Sequence, residues 1–157
     1  MVNDLLAAIW RRAPRFLRRW TVRLSHPRFA VSAGAVITDA RGRVLLLKHR
    51  FRPGTGWGVP GGFIETGEQP EAGLRRELRE EVGLEIEKLK LFTTRAFRRP
   101  QQIEIVFTAR AVGTTEQLSF EIREAGWFAP DELPGELSTD QAQLIRQALN
   151  DGARPPD

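Results

Sequence analysis

Between Gly62 and Leu84 the chain reads GFIETGEQPEAGLRRELREEVGL, which sets carboxylates on a helix directly behind a glycine-rich stretch. Pro70 suits the first turn of a helix, where its missing N–H goes unused. Leu74, Leu78 and Val82 repeat every four residues behind it until Gly83 ends the run. With Glu77 set at zero and a turn of about 100° per residue, Glu80 falls at about −60° and Glu81 at about +40°. Leu74, Leu78 and Val82 fall at about +60°, +100° and +140°, so three acids share one flank and the apolar residues another. Like charges three and four positions apart weaken an isolated helix unless a cation sits among them. Oxygen-only ligands of this kind suit a hard cation, Mg²⁺ or Mn²⁺. Gly73 projects at about −40°, within the acidic flank, and its small size is expected to leave room for a phosphate group. Pro60-Gly61-Gly62 supplies backbone that can approach this flank closely, with carbonyl oxygens as further ligands.

Composition alone would make this an ordinary solvated helix face, with Arg75 and Arg76 as partners of the acids. The full spacing overturns that reading. It resembles the Nudix signature G-x5-E-x7-R-E-U-x-E-E-x-G-U, with U apolar, and Gly62, Glu68, Arg76, Glu77, Leu78, Glu80, Glu81, Gly83 and Leu84 match every specified position. The resemblance implies a Nudix-type α/β/α sandwich with a mixed sheet, the signature loop and helix, and a C-terminal helix. It implies that Glu77, Glu80 and Glu81, with the carbonyl of Gly61, hold the catalytic Mg²⁺ or Mn²⁺. Glu68 and Arg76 would pair and brace the loop against the helix. The implied reaction is cleavage of a diphosphate bond in a nucleotide-like substrate by a metal-activated water, with no covalent intermediate.

Outside the signature the resemblance is looser and covers roughly residues 30 to 149. Trp127-Phe128-Ala129-Pro130-Asp131-Glu132-Leu133-Pro134 is similar to a segment near the end of many family members. Several members carry a further catalytic or metal-binding glutamate just upstream, for which Glu121 is preferred here and Glu124 second. Arg50, Arg52, Trp57 and Arg98 are candidate substrate contacts: the arginines for phosphate oxygens, the indole for stacking on a base. Pro100 lies near a proline common in ADP-ribose pyrophosphatases of the family, which favours a nucleoside diphosphate linked to another moiety, such as a sugar. A nucleoside triphosphate is also compatible. An RNA 5′-end pyrophosphohydrolase and an inactive binding or sensor module of the same fold are the alternatives. The related isopentenyl diphosphate isomerase employs a catalytic cysteine, and this chain has none.

The rest of the chain alternates elements irregularly, as a mixed α/β domain with helices packed on a sheet does. Residues 29 to 38 and 43 to 49 are apolar and β-branched and flank Asp39-Ala40-Arg41-Gly42, which reads as a hairpin. Residues 52 to 62 read as loop with at most a short strand at 57 to 59. Further strands are expected at 86 to 94, 102 to 112 and 119 to 128, then a helix from Ser138, a plausible N-cap, to about Leu149. The domain is expected over 29 to 150, with a disordered tail from 151 to 157.

Charge is segregated. Residues 1 to 28 hold seven arginines against Asp4, a net of +6, which leaves −2 of the chain's +4 for the remainder. Leu5, Leu6, Ile9, Trp10, Ala13, Phe16, Leu17 and Trp20 form a stripe of helical period between those arginines, interrupted by Pro14. This arm must bury its apolar face against the body, a second copy in a homodimer, or an anionic membrane surface, in that order of preference; nucleic acid is a further partner for its charge. Without cysteine there is no disulfide framework, and no signal-peptide pattern or membrane span is apparent, so the expected location is cytoplasmic.

Overall fold

The computed structural model describes residues 10–12, 14, 16, 27–51, 54, 56–115 and 117–152. Strands β1 (Ala30–Thr38) and β2 (Val44–His49) carry apolar residues at consecutive positions, and both faces of each are covered. Ala33, Ala35, Ile37, Leu45 and Leu47 belong to one core cluster, whereas Val36, Val44 and Leu46 belong to another. The first cluster receives Leu74, Leu78 and Val82 of helix α1 (Pro70–Val82); the second receives Leu144, Ile145 and Ala148 of helix α2 (Thr139–Gly152). The two helices therefore sandwich the sheet, which makes the domain an α/β/α sandwich.

The sheet is mixed. β1 runs parallel to β6 (Gln102–Val112), and β6 pairs antiparallel with β5 (Glu85–Phe97). On its other side β1 meets β2 at Thr38↔Val44 and the short β4 (Gly61–Phe63) along Ser32 to Gly34, both antiparallel. β2 in turn pairs with β3 (Trp57–Gly58) and with β7 (Ile122–Phe128). The hairpin, the signature helix and the strand order within the chain agree with the sequence reading.

Four boundaries differ. β4 lies in a stretch read as loop, because two of its three residues are glycines and show no side-chain period. β5 extends to Phe97, past the expected end at 94, held by pairing of Phe97 with Gln102. β7 begins at Ile122 rather than 119, since the N–H of Ser119 turns to the Glu81 carbonyl at 2.8 Å. α2 starts where Ser138 Oγ accepts the Gln141 N–H at 3.3 Å, and it continues through Gly152, into the expected tail.

Of the basic arm, residues 10–12 and Phe16 are helical, with Trp10 and Phe16 exposed. The remainder of the expected arm stripe, Arg52, and residues 153–157 lie outside the described residues. No helix among the described residues is long and apolar enough to cross a membrane.

Candidate active site

Helix α1 begins at Pro70 and closes on Gly83, whose left-handed φ of 66° lets its N–H reach the Arg79 carbonyl at 3.0 Å. Its apolar stripe is fully buried against the sheet, which fixes its rotation and thereby aims Glu77, Glu80 and Glu81. Glu77 lies against Gly62: a Cβ on that glycine would fall on the Glu77 carboxylate. Glu80 is largely exposed, while Glu81 is buried, its Oε1 3.6 Å from Nδ1 of His49.

Arg76 organises this flank. Its Nη1 donates to Glu77 Oε1 at 2.9 Å and to Glu80 Oε2 at 3.3 Å, so both carboxylates flank one cationic nitrogen. Its Nε and Nη2 each meet a different oxygen of Glu68 at 3.1 Å, a bidentate pair, and Nη2 also donates to the Phe63 carbonyl. Glu68 Oε2 in turn accepts the Glu65 N–H at 3.0 Å, which ties the loop between β4 and α1 to the helix. The hydrogen bonds from Arg76 hold the Glu68 carboxyl below its ordinary value, and those to Glu68 and Glu77 push the Arg76 guanidinium up.

β4 brings the glycine backbone to the acids. Ala35 donates to the Pro60 carbonyl at 3.0 Å and Ile64 to the Val31 carbonyl at 2.9 Å. Between these two bonded pairs the antiparallel ladder makes Gly34↔Gly61 a non-hydrogen-bonded pair, so the Gly61 carbonyl points away from β1. At Gly61 a Cβ would collide with the Ala33 carbonyl, and its φ of 147° is open only to glycine. Gly73 departs from the sequence reading. A Cβ there would lie 2.7 Å from Ile64 Cδ1 and 2.8 Å from Glu68 Oε2, so its smallness serves the packing of the loop and leaves no room for a phosphate.

Two hollows open beside the glycine turn. One of about 330 Å³ runs along Ser32 to Gly34 and Pro60 to Phe63; the other, of about 500 Å³, is bounded by Trp57, Arg95, Phe97 and Gln141, and the two share Gln102 and Glu104. Gln141 Oε1 accepts the Val59 N–H at 3.1 Å, and Gln102 Nε2 donates to Ser32 Oγ at 2.7 Å. Arg95 bridges Glu104 and Asp140. Burial disfavours its charge, but those two carboxylates outweigh this and raise its pKa.

The remaining candidates scatter. Trp57 is buried, edge-on to Phe128 with ring centroids 5.4 Å apart and the Lys48 ammonium over its ring, and it also lines the hollow of about 500 Å³. Arg98 is exposed in the turn between β5 and β6, and Arg95 is the arginine of that region that lines a hollow. Arg50 is tied to Phe120 through its carbonyl, at 2.9 Å, and its ring. Glu121 is exposed just before β7, its carbonyl accepting the Arg50 N–H at 2.7 Å. Glu124 lies opposite Lys48, on the sheet face that carries α2 and away from α1.

Among the described residues no three His, Asp or Glu side chains converge into a closed metal centre; the cation this flank gathers is Arg76. His49, Gln102, Glu104 and Gln141 were not singled out by sequence. His49 continues the Leu45, Leu47 alternation of β2 toward α1, a signal that was available; the other three are assembled by strand and helix packing alone.

A model of the NUDIX domain matches residues 28–148. The chain is 35% identical over 136 residues to a MutT-like protein of Streptomyces ambofaciens, covering 83% of each. It is 34% identical over 108 residues to the NAD-capped RNA hydrolase NudC of Chromobacterium violaceum, covering 67% of this chain but only 40% of that relative. The fold superposes on the crystal structure of a MutT NUDIX hydrolase from Burkholderia pseudomallei with a TM-score of 0.68 at 29% identity, covering 77% of this chain and 98% of that one.

Proposed function

The chain belongs to the NUDIX hydrolase family, and from that premise we propose that it cleaves a diphosphate bond in a nucleoside diphosphate linked to another moiety, with Mg²⁺ or Mn²⁺ as cofactor. The observation that carries the reading is the acid flank of α1 standing against the glycine backbone of β4, beside hollows sized for a small ligand.

The donor set fits a hard divalent ion: Glu77 and Glu80 already flank one cationic nitrogen, and Gly62 has no side chain between β4 and Glu77. Glu77, Glu80, Glu81 and the Gly61 carbonyl would hold the ion. Bound there, it supplies charge neutralisation and Lewis-acid polarisation for the diphosphate. Gly61 and Gly62 let the diphosphate approach the backbone, and the polar groups of Gln102, Glu104 and Gln141 orient the nucleoside end. Water attacks one phosphorus, the bridging P–O bond breaks, and the water's proton passes to a carboxylate base, for which Glu121 is the candidate. Glu68 and Arg76 hold the loop and helix in register during this step.

A second reading, removal of a 5′ cap or terminal phosphate from RNA, draws on the likeness to NudC and on the arginine-rich arm; the chain spans about 40% of that relative's length. Incubation with Mg²⁺ and a panel of ADP-ribose, nucleoside diphosphate sugars, nucleoside triphosphates and NAD-capped RNA, resolved by chromatography, separates the two. Release of two phosphate-bearing products from the first group supports the proposal. Turnover of capped RNA alone supports the second reading, and no hydrolysis of any compound with either Mg²⁺ or Mn²⁺ overturns both.

A further inference from the structure

A hollow of about 440 Å³ lies on the sheet face that carries α2, at the end of β1 remote from the glycine turn. Thr38 stands four residues beyond Gly34, on the order of 13 Å along the strand. It shares no lining residue with either of the hollows beside the glycine turn, so it is separate from that site. Its polar lining is Lys88, Lys90, Arg110, Thr38 and Thr108, and α2 walls it with Ala148 and Leu149.

The register explains the convergence. Val36 faces α2, and it pairs with Thr108, which pairs with Lys90; two residues along, Thr38 pairs with Arg110. Residues opposite one another on neighbouring strands point to the same face, so both threonines, Lys90 and Arg110 share it. Lys88 joins them through a bulge, where the pairing jumps from Glu87↔Arg110 to Lys90↔Thr108 and two residues of β5 face Ala109. Lys88 has a φ of 51° and is the one non-glycine with positive φ among the described residues. Glycine would sit there without strain, so a lysine held there is a reason to look for a use of its side chain.

Among the described residues none of the three cations forms an ion pair within 4.0 Å, although Glu87 lies opposite Arg110; Arg43, Arg76, Arg79 and Arg95 each have a carboxylate partner. Residues 29 to 157 carry a net charge of −2, so three cations gathered in one concavity run against the background of the body. We propose that this hollow binds a small phosphate- or diphosphate-bearing ligand, held by Lys88, Lys90 and Arg110 with the two threonine hydroxyls as further donors. A small ligand is favoured over a polynucleotide because the three exposed cations gather around one open hollow instead of lining a stripe.

Calorimetric titration of the full chain with sodium pyrophosphate in EDTA tests this without engaging a divalent ion at the acid flank. The expected result is saturable binding of one equivalent, weakened about tenfold or more in Lys90→Gln/Arg110→Gln. Lys88→Gly is expected to weaken binding without lowering the thermal midpoint, since glycine suits the left-handed backbone. All variants keep wild-type Mg²⁺-dependent turnover. Absence of saturable binding, or binding unchanged in folded Lys88→Gly and Lys90→Gln/Arg110→Gln, overturns the proposal, as does binding of single-stranded RNA with none of pyrophosphate.

Discussion

A methyl group at Gly62 would occupy the position of the Glu77 carboxylate, the end of a flexible side chain that would have to move aside. Gly62→Ala is therefore expected to displace Glu77 and lower kcat about a hundredfold, since displacements near 1 Å at a reacting centre carry penalties of that order. Steady-state kinetics beside circular dichroism checks it; a folded variant with wild-type kcat would mean that Glu77 need not stand against β4. At this scale the shared flank of Glu77, Glu80 and Glu81 was legible from helical spacing, and Gly62 from the spacing of the signature. Gly73 was misread, and the packing around Trp57 went unseen, for a common reason: sequence gives a side chain's size and character but not its neighbours. Phe128 and Lys48 reach Trp57 from other strands, and Ile64 and Glu68 fold back over Gly73 from the preceding loop.

Within the element formed by the loop after β4 and helix α1, the Glu68–Arg76 pair is the fastening. Arg76 holds the Glu68 carboxyl below its ordinary value of 4.5, so the pair's contribution is complete above that pH and is lost as pH falls through the depressed value. The Glu65 amide, which donates to Glu68 Oε2, reports on it directly. Hydrogen exchange is expected to show protection at Glu65 that fades in acid in the wild type, but is already low at neutral pH and insensitive to acid in Glu68→Gln. Equal protection in the two proteins at neutral pH would show that the loop is held by other contacts. The same element shows why β4 escaped notice: two glycines and one phenylalanine carry no period-two pattern, and the strand exists because its backbone fits against Ser32 to Gly34. Helix α1, with a proline start, a four-residue apolar repeat and a glycine stop, announced itself.

For the whole molecule, the two core clusters on opposite sheet faces fix how far α1 and α2 stand from the strands, and the acid flank inherits its position from that packing. The mixed α/β class followed from the order of apolar runs; the parallel β1–β6 pairing that places Glu104 and Gln102 beside Ser32 did not, because long-range pairing leaves no local mark. The central claim is that the α1 glutamates work as one divalent-metal centre on a diphosphate. Glu81→Gln and Glu80→Gln preserve side-chain volume while removing one negative charge each, at a buried and at an exposed position. The most direct measurement is turnover of the best substrate as a function of Mg²⁺ in the wild type and in these two variants, with folding checked by thermal melting. The account predicts no activity in EDTA and a loss of about a hundredfold or more in each folded variant at saturating Mg²⁺. Wild-type turnover in either variant, or full activity in EDTA, would contradict it.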